Sequence, residues 1–143
     1  MSRILVLSPH PDDEAIGCGG TLRKHIIDGD KVQVIFLTSG ERGGHGMSEE
    51  ETKRVREREA KDAAAILGYE SFEFWRIPNG KLRVTKSTVE RLQIKLSDWK
   101  PDFIYVTHDK EMHPEHRAAA GIVRKALSNG FALEDKPDRK SVV

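Results

Sequence analysis

Two short clusters of histidines and carboxylates contain the residues best suited to joint chemistry. The first occupies residues 9–14, with the sequence Pro-His-Pro-Asp-Asp-Glu, and the second occupies residues 113–116, with the sequence His-Pro-Glu-His. Imidazole nitrogens and carboxylate oxygens are common ligands of zinc. A catalytic zinc typically has three protein ligands and an open position for water, whose pKa then falls to about 7. The two clusters therefore predict one divided metal site that activates water.

The first cluster is stiff and leads into a predicted helix. Pro9 and Pro11 hold φ at about −65° and restrict their neighbours, so the loop around His10 is expected to be rigid. Asp12 or Asp13 can cap the helix that follows, where the helix dipole also favours a carboxylate.

The second cluster also opens a predicted helix. Pro114 suits the first helical position, where its missing N–H is no loss. His113 and His116 then occupy neighbouring positions on one face, so one can bind a metal while the other faces a substrate. Two histidines and one carboxylate would complete the site, but ligand spacing alone does not choose among the four acidic residues of the two clusters.

Strand and helix patterns alternate along the chain. Apolar runs predict strands at residues 3–8, 31–38, 71–77 and 102–107. Helices are predicted at residues 13–28, 48–67, 85–99 and 114–127, the second with a capping box of Ser48 and Glu51 and a stop at Gly68. This order favours an α/β fold, a Rossmann-like three-layer α/β/α sandwich with a mostly parallel sheet. No clear strand follows Gly130, so the C-terminal part is expected to be short or truncated.

The expected strand order brings the two clusters together. If the order is 3-2-1-4, it reverses between the first and fourth strands. Ligands of open parallel sheets bind outside the carboxyl ends of the strands at such a switch point. The first and fourth strands are the two whose exits carry the clusters, so topology and residue chemistry predict the same place.

Length and composition exclude several classes of protein. The 143 residues are expected to form a single domain, and a net charge of +1, from 24 basic and 23 acidic residues, gives no basic excess for nucleic acid. Apolar runs are far shorter than the roughly 20 residues of a membrane span. The N-terminus enters a strand at once, which leaves no room for a signal peptide. A single cysteine, Cys18, cannot form an internal disulfide, and this favours a cytoplasmic location.

Three motifs in the sequence form a recognisable set. They are Ser-Pro-His-Pro-Asp-Asp-Glu at 8–14, Thr-Ser-Gly-Glu at 38–41 and His-Pro-Glu-His at 113–116. Together they resemble the LmbE/PIG-L family of zinc-dependent deacetylases, over residues 3 to about 117. The resemblance implies a Zn2+-dependent hydrolase that removes an acetyl group from an N-acetylglucosamine-type sugar or conjugate. The implied partner is a small-molecule amino sugar, and neither nucleic acid nor a membrane is expected.

The resemblance also implies a role for each residue of the clusters. His10, Asp13 and His116 would bind the metal. Asp12 would be the general base that activates water. His113 would stabilise the oxyanion and protonate the departing amine.

Two further residues are implied to contact the substrate. Arg56 matches a family arginine in an Arg-x-x-Glu pattern, with Glu59 and then Leu67-Gly68 following it. A salt bridge with neighbouring glutamates explains Arg56 equally well. Asn79 falls where the family often has an acidic residue that contacts sugar hydroxyls. Glu115 replaces a usual aspartate and is expected to support the zinc histidine that follows it.

Three other interpretations fit parts of the sequence. Gly17-x-Gly19-Gly20 resembles a dinucleotide-binding loop, but its glycines lie a turn or more inside a helix instead of at its start. Two histidines and a carboxylate also suit Fe2+ or another divalent metal, although Asp12 as a ready base favours hydrolysis. Because family members usually continue well past the second cluster, the chain is alternatively a truncated or inactive member that binds a metal or a partner. That alternative predicts exposed apolar surface and a homo-oligomer formed at the open sheet edge.

Overall fold

Parallel strands form one sheet with helices on both faces, in a computed structural model that describes residues 1–128 and the backbone of residues 141–142. The strands are β1 Arg3–Ser8, β2 Lys31–Phe36, β3 Ser71–Phe74, β4 Phe103–Val106 and β5 Ser141–Val142. The helices are α1 Asp13–Ile27, α2 Glu49–Leu67, α3 Lys86–Trp99 and α4 Pro114–Ser128, with a short 3-10 helix at Glu41–Gly43. The alternation of strand and helix confirms the predicted α/β fold.

The strand order in the sheet is β3-β2-β1-β4-β5, which confirms the expected 3-2-1-4 arrangement. All pairs are parallel, and β1 lies in the middle, with Ile4 opposite both Val32 of β2 and Phe103 of β4. The sequence pattern does not predict β5, which pairs with β4 through Ile104 and Tyr105. Two residues are too few to show the alternation by which strands are recognised.

Side chains that alternate along the strands divide the core into two halves. Ile4 and Val6 of β1 pack on the α1 and α2 side, whereas Leu5 and Leu7 pack on the α3 and α4 side. A parallel sheet covered on both faces needs apolar side chains in both directions, which explains the continuous apolar run of β1. The three-layer α/β/α arrangement is therefore confirmed.

Local capping signals set the helix ends. Ser48 and Glu51 form the predicted capping box of α2, and Gly68 ends this helix with a φ of 96°, a conformation that glycine tolerates best. Thr85 caps α3 in the same way through Thr88. None of the helices within residues 1–128 combines the length and the apolar character needed to cross a bilayer.

The third strand is shorter than predicted. β3 ends at Phe74 instead of Ile77, because Arg76 adopts a left-handed φ of 55° that interrupts the extended backbone. The guanidinium of Arg76 donates two hydrogen bonds to Glu57 of α2, at 3.0 and 3.1 Å. This ion pair holds the loop after β3 against α2, near the carboxyl edge of the sheet.

Candidate metal centre

The two clusters lie side by side beyond the carboxyl ends of β1 and β4. Residues 9–12 connect β1 to α1, and the loop after β4 leads to the start of α4. The ring centroids of His10 and His116 are 5.4 Å apart, and that of His113 lies 4.8 Å from His10 and 4.9 Å from His116. The fold thus gathers three imidazoles from both clusters at the switch point of the sheet, as the topology predicts.

His10, Asp13 and His116, which we call the ligand trio, meet at one carboxylate oxygen. Asp13 Oδ2 lies 3.2 Å from His10 Nδ1 and 3.2 Å from His116 Nε2. The three ligand atoms are all within 4.8 Å of one another. Ligands at about 2.0–2.2 Å from a tetrahedral zinc lie roughly 3.3 Å apart, so the trio fits a single ion.

The outer nitrogens of both histidines face carboxylates. His10 Nε2 lies 2.9 Å from Glu115 Oε1, and His116 Nδ1 contacts Glu111 Oε2. A metal-binding histidine almost always donates its second N–H to such a group, which fixes the tautomer and leaves the inner nitrogen unprotonated. Glu111 is not among the site residues that the sequence motifs predict. The sequence feature that could have indicated it is an acidic residue five positions before the candidate ligand His116.

The pKa values within the trio follow from this mutual contact. Burial alone would lower the pKa of His10, but the carboxylates of Asp13 and Glu115 raise it above its ordinary value. Burial would raise the pKa of Asp13, yet His10 and His116 hold it below its ordinary value. Asp13 is therefore anionic at neutral pH, as a metal ligand must be.

Glu115 is buried, with 2% exposure, and both of its oxygens have donors. Oε1 accepts a 2.6 Å hydrogen bond from Asn79 Nδ2 and faces His10, and Oε2 accepts from the backbone N–H groups of Gly80 and Leu82, both at 3.0 Å. Burial would raise the pKa of Glu115, but the bonds from His10, Leu82 and Gly80 lower it. This carboxylate is therefore a fixed charge that orients His10.

A second group, of His10, His113 and Glu115, is also close enough to hold an ion. Its carboxylate is already occupied by the donors described above. His113 accepts a 3.1 Å hydrogen bond at Nδ1 from the backbone N–H of Glu115, so its neutral ring carries hydrogen on Nε2. Burial, together with His10 and His116, lowers the pKa of His113. Its free nitrogen is thus a donor and not a ligand, which favours the ligand trio.

Asp12 precedes α1 in a strained conformation. Its φ of 104° is unusual outside glycine, and its side chain makes no capping bond although it occupies the N-cap position. The backbone N–H of Asp12 donates to the buried carboxylate of Glu14 at 3.0 Å, which secures this turn. The carboxylate of Asp12 is 57% exposed, and partial burial raises its pKa against the opposing effect of Arg56.

Arg56 reaches from α2 to the loop that carries Asp12. Its guanidinium donates to the carbonyls of Gly40 at 2.9 Å and Pro11 at 2.8 Å, and Nη2 lies 3.4 Å from Asp12 Oδ2. The arginine thus pairs with the candidate base and not with a glutamate of its own helix. It is placed to hold the Asp12 turn against the loop that follows β2.

Asn79 connects the loop after β3 to the metal centre. Its side-chain Oδ1 accepts a hydrogen bond from the backbone N–H of Arg42 at 3.1 Å, and its backbone N–H donates to the carboxylate of Glu41 at 2.7 Å. Together with His113 it lines a cavity of about 280 Å³ next to the ligand trio. The structure thereby brings all seven candidate site residues to one edge of the sheet.

Comparison with known proteins identifies similar chains. The family described as PIG-L, GlcNAc-PI de-N-acetylase, matches residues 5–127. The chain is 29% identical to a diacetylchitobiose deacetylase of Thermococcus kodakarensis, over 90% of this chain and 50% of that protein. It is 32% identical to a 4-oxalmesaconate hydratase of Pseudomonas putida, over 96% of this chain and 56% of that protein.

A solved structure supports the same relationship. The N,N'-diacetylchitobiose deacetylase of Pyrococcus horikoshii superposes with a TM-score of 0.84 at 26% identity, covering 88% of this chain and 49% of that one. The chain thus spans about half the length of these relatives. Because the family match runs over residues 5–127 and includes both clusters, the chain belongs to the PIG-L (LmbE-like) family.

Proposed function

We propose that this chain carries the catalytic centre of a metal-dependent hydrolase that removes an N-acetyl group from an N-acetylglucosamine-type sugar or conjugate. Water adds to the amide carbonyl, the C–N bond breaks, and acetate and a free amine leave. The observation that carries the proposal is the ligand trio with Asp12 beside it and His113 in ring contact with it. Membership of a family named for de-N-acetylation supports this choice.

The ligand trio would hold a divalent ion, and its two imidazoles and one carboxylate suit zinc. When bound, zinc supplies Lewis acidity that lowers the pKa of water and polarises a carbonyl. The same ligands also suit Fe2+, so elemental analysis of protein purified without added metal separates the two.

Asp12 is proposed as the base. Its Oδ2 faces Arg56, which leaves Oδ1 to take a proton from the attacking water. Because Arg56 also bonds the carbonyl of Pro11, it fixes the turn from which this carboxylate projects. General-base catalysis by a positioned carboxylate contributes about 10²–10⁴-fold to the rate.

His113 is proposed to stabilise the oxyanion through Nε2–H. The hydrogen bond that Nδ1 accepts from Glu115 favours the neutral ring, with its hydrogen on Nε2. A preorganised donor of this kind contributes about 10²–10³-fold. Protonation of the departing amine by His113 requires its cationic form, so the geometry supports oxyanion stabilisation more directly than proton donation.

Substrate contacts are proposed for Arg56 and Asn79. Arg56 lies against Asp12, and Asn79 lines the cavity beside His113. Both side chains already have protein partners, so each would act on the substrate while also holding a loop in place.

A hydratase is the second candidate function. The observation that favours it is the 32% identity to a 4-oxalmesaconate hydratase over 96% of this chain. A site that activates water serves addition to a double bond as well as hydrolysis of an amide. Assays for amine release and for hydration of a carboxylated alkene distinguish the two.

A reducing cytoplasm is the proposed location. Cys18 is the sole cysteine, and burial raises the pKa of its thiol to about 11. Such a thiol is inert at neutral pH and suits a packing role. A small-molecule amino sugar is the proposed partner, and assembly into a homo-oligomer stays a prediction.

The test measures acetate release from N-acetylglucosamine conjugates, together with metal content, for the wild type and three variants. Asp12→Asn is expected to keep its metal and lose about 10²–10⁴-fold in kcat. His116→Ala is expected to lose both metal and activity, and a chelator should abolish wild-type turnover. His108→Ala, which changes an exposed histidine in the loop after β4, is the matched control and should behave as wild type.

Two outcomes count against the proposal. Full activity and full metal content in His116→Ala would remove His116 from the trio. A wild type that binds one metal per chain but releases no acetate would favour the inactive, metal-binding interpretation.

A further inference from the structure

Glu14 is the acid of the first cluster to which the proposed function gives no role. Its side chain is buried, with 2% exposure, whereas Asp12 in the loop before it is exposed. A buried carboxyl group is costly unless hydrogen bonds replace those it loses to water. The contacts of Glu14 therefore indicate what its carboxylate does.

The hydrogen bonds of Glu14 are made by one oxygen and lead to the loop between β1 and α1. Oε2 accepts from the backbone N–H of Asp12 at 3.0 Å and lies 3.1 Å from the hydroxyl of Ser8. That hydroxyl donates to the carbonyl oxygen of His10 at 2.6 Å. Oε1 is buried and has no donor within residues 1–128. The carboxylate thus serves as an acceptor for the loop that precedes its own helix.

The peptide group between Pro11 and Asp12 is held from both sides. Its carbonyl accepts from the guanidinium of Arg56 at 2.8 Å, and its N–H donates to Glu14. In a trans peptide these two groups point in opposite directions, so the two bonds fix the rotation of the peptide plane. Rotation of this plane about the N–Cα bond of Asp12 is the φ angle of that residue. The two bonds therefore set this angle together.

Asp12 needs external support because its own side chain does not hold its backbone. Its φ of 104° is sparsely populated outside glycine and persists only where the surroundings impose it. An N-cap side chain ordinarily accepts from an N–H of the first helical turn, but that of Asp12 makes no such bond. Glu14 supplies the returning half of a capping box, in which a carboxylate early in the helix accepts from the N-cap N–H. The carboxylate of Asp12 is thereby left free of the helix.

α1 is interrupted shortly after Glu14. The backbone of Cys18 is not helical, with a φ of −145° and a ψ of 17°, so residues 13–17 form a turn separate from residues 19–27. Among residues 13–17, only Glu14 is buried. The burial of this one side chain therefore anchors the turn.

Asp13, by contrast, has attachments that do not involve Glu14. Its backbone N–H donates to the carbonyl of His10 at 3.2 Å, and its Oδ2 accepts from the backbone N–H of His10 at 2.9 Å. Loss of the bond from Asp12 to Glu14 should therefore release Asp12 and leave the proposed metal ligand Asp13 in place.

We propose that Glu14 is a positioning residue for Asp12: as a hydrogen-bond acceptor, it holds the left-handed turn that directs the Asp12 carboxylate toward the attacking water. This inference rests on the proposed deacetylase function, in which Asp12 is the base. The role requires an oxygen at the right distance from the Asp12 N–H, and it does not require a negative charge.

The kinetic test compares three variants of Glu14 in amide hydrolysis. Glu14→Gln keeps an oxygen that can accept from Asp12, and its NH2 group can take the side of Oε1, where no donor is displaced, so kcat should stay close to wild type. Glu14→Met has no such acceptor and should lose about 10–100-fold in kcat, because a small displacement of a catalytic group is costly. Glu14→Asp keeps the charge on a shorter side chain and should lose activity as Glu14→Met does.

KM and metal content separate this effect from a loss of binding. KM should not change, because Asp12 acts on the attacking water, and metal should be retained, because Asp13 keeps its bonds to His10. Thermal unfolding confirms that each variant is folded. Tyr69→Phe is the matched control, since burial and the nearby Glu14 carboxylate raise the pKa of Tyr69. It changes the same buried region without removing the bond to Asp12 and should behave as wild type.

Hydrogen exchange of the Asp12 backbone N–H, followed by NMR, measures the bond without reference to activity. Exchange should be about tenfold faster or more in Glu14→Met and Glu14→Asp, and close to wild type in Glu14→Gln. The N–H of Asp13, which is bonded to His10, is the internal reference and should not change.

The outcomes separate this inference from the proposed function. Wild-type kcat and exchange in Glu14→Met, or a Glu14→Gln variant as impaired as Glu14→Asp, would overturn the inference and leave the deacetylase proposal standing. If Glu14→Met does not fold, the comparison of Glu14→Gln with Glu14→Asp decides alone. If the wild type hydrolyses no amide, the deacetylase proposal fails, and exchange of the Asp12 N–H still shows whether Glu14 holds the turn.

Discussion

The two glutamates that face the outer nitrogens of the ligand trio differ in how firmly they are held. Glu115 is buried and accepts backbone N–H groups from Gly80 and Leu82, so its carboxylate has one position. Glu111 lies in the exposed loop before α4 and touches His116 from the solvent side. A fixed acceptor orients an imidazole better than a mobile one, because less entropy is lost when the metal binds.

If the ligand trio holds a metal as proposed, Glu115→Gln is expected to weaken its binding about 10–100-fold, and Glu111→Gln is expected to weaken it less. In the Glu115→Gln variant, an amide NH2 group would face N–H donors from which the carboxylate now accepts hydrogen bonds. Competition with a chromophoric chelator measures the affinity, and thermal unfolding confirms that each variant is folded. Glu90→Gln, an exposed glutamate of α3 near Lys86, is the control. Identical affinities for Glu115→Gln and Glu90→Gln would show that Glu115 does not support the site.

At the scale of elements, a network of polar contacts through Asp30 and His25 connects the start of the chain to α1 and β4. Asp30, in the turn between α1 and β2, accepts from the backbone N–H of Ser2 at 2.7 Å and lies 2.7 Å from His25 Nδ1. The other nitrogen of His25 lies 3.0 Å from the hydroxyl of Tyr105. His25, a lone histidine by sequence, is thus part of a structural network on the α1 side of the sheet.

This network predicts a pH dependence of stability. The bond from Ser2, followed by that from His25, lowers the pKa of Asp30 below its unfolded value of about 4. A lowered folded pKa gives stability that is present above the unfolded pKa and lost as the pH falls through the folded one. Asp30→Asn should therefore reduce the free energy of unfolding by about 1 kcal/mol at pH 7, and its difference from wild type should shrink as the pH falls below about 4.

Urea unfolding at several pH values measures this difference directly. Asp28→Asn is the matched control, because Asp28 is exposed at the end of α1, where the helix dipole disfavours a negative charge. It should be neutral or slightly stabilising. A difference between Asp30→Asn and wild type that does not change from pH 7 to pH 3 would contradict the assigned role of the charge.

At the scale of the whole molecule, the sheet separates two apolar cores, which a single domain would form together. Ile4 of β1 packs on the α1 and α2 side, and Ile122 of α4 packs on the other, both fully buried. Ile4→Val and Ile122→Val should each cost about 0.5–1.5 kcal/mol. Because the sheet lies between the two sites, the double variant should lose about the sum of the two single losses.

Unfolding followed both by far-UV circular dichroism and by tryptophan fluorescence tests whether residues 1–143 form one domain, which stays a prediction. Coincident transitions in every variant are expected of a single cooperative unit. Ile94→Val, at an exposed position of α3, is the control and should change stability by less than about 0.5 kcal/mol. Separate transitions for the two probes would show that the cores unfold independently.

Much of the fold follows from interactions between residues that are close together in the sequence. The apolar run of β1, the capping box of Ser48 and Glu51 and the stop at Gly68 each depend on a few neighbouring residues, so the element order could be predicted. The break at Arg76 could not, because the ion pair with Glu57 that holds it joins two distant elements. The pairing of β5 with β4 could not be predicted for a similar reason, because a strand of two residues is recognised only by its pairing with a neighbouring strand.

The same division holds at the candidate site. The sequence by itself determined which side chains could bind a metal and that two strand ends would present them, because residue type and strand alternation are local properties. Only the tertiary structure decided that Asp13 lies between two histidines, that Glu111 and Glu115 face their outer nitrogens, and that Arg42 and Arg83 share a cavity with His113. These contacts join residues up to 105 positions apart. Their distances are set by how the loops pack at the sheet edge, which no local pattern encodes.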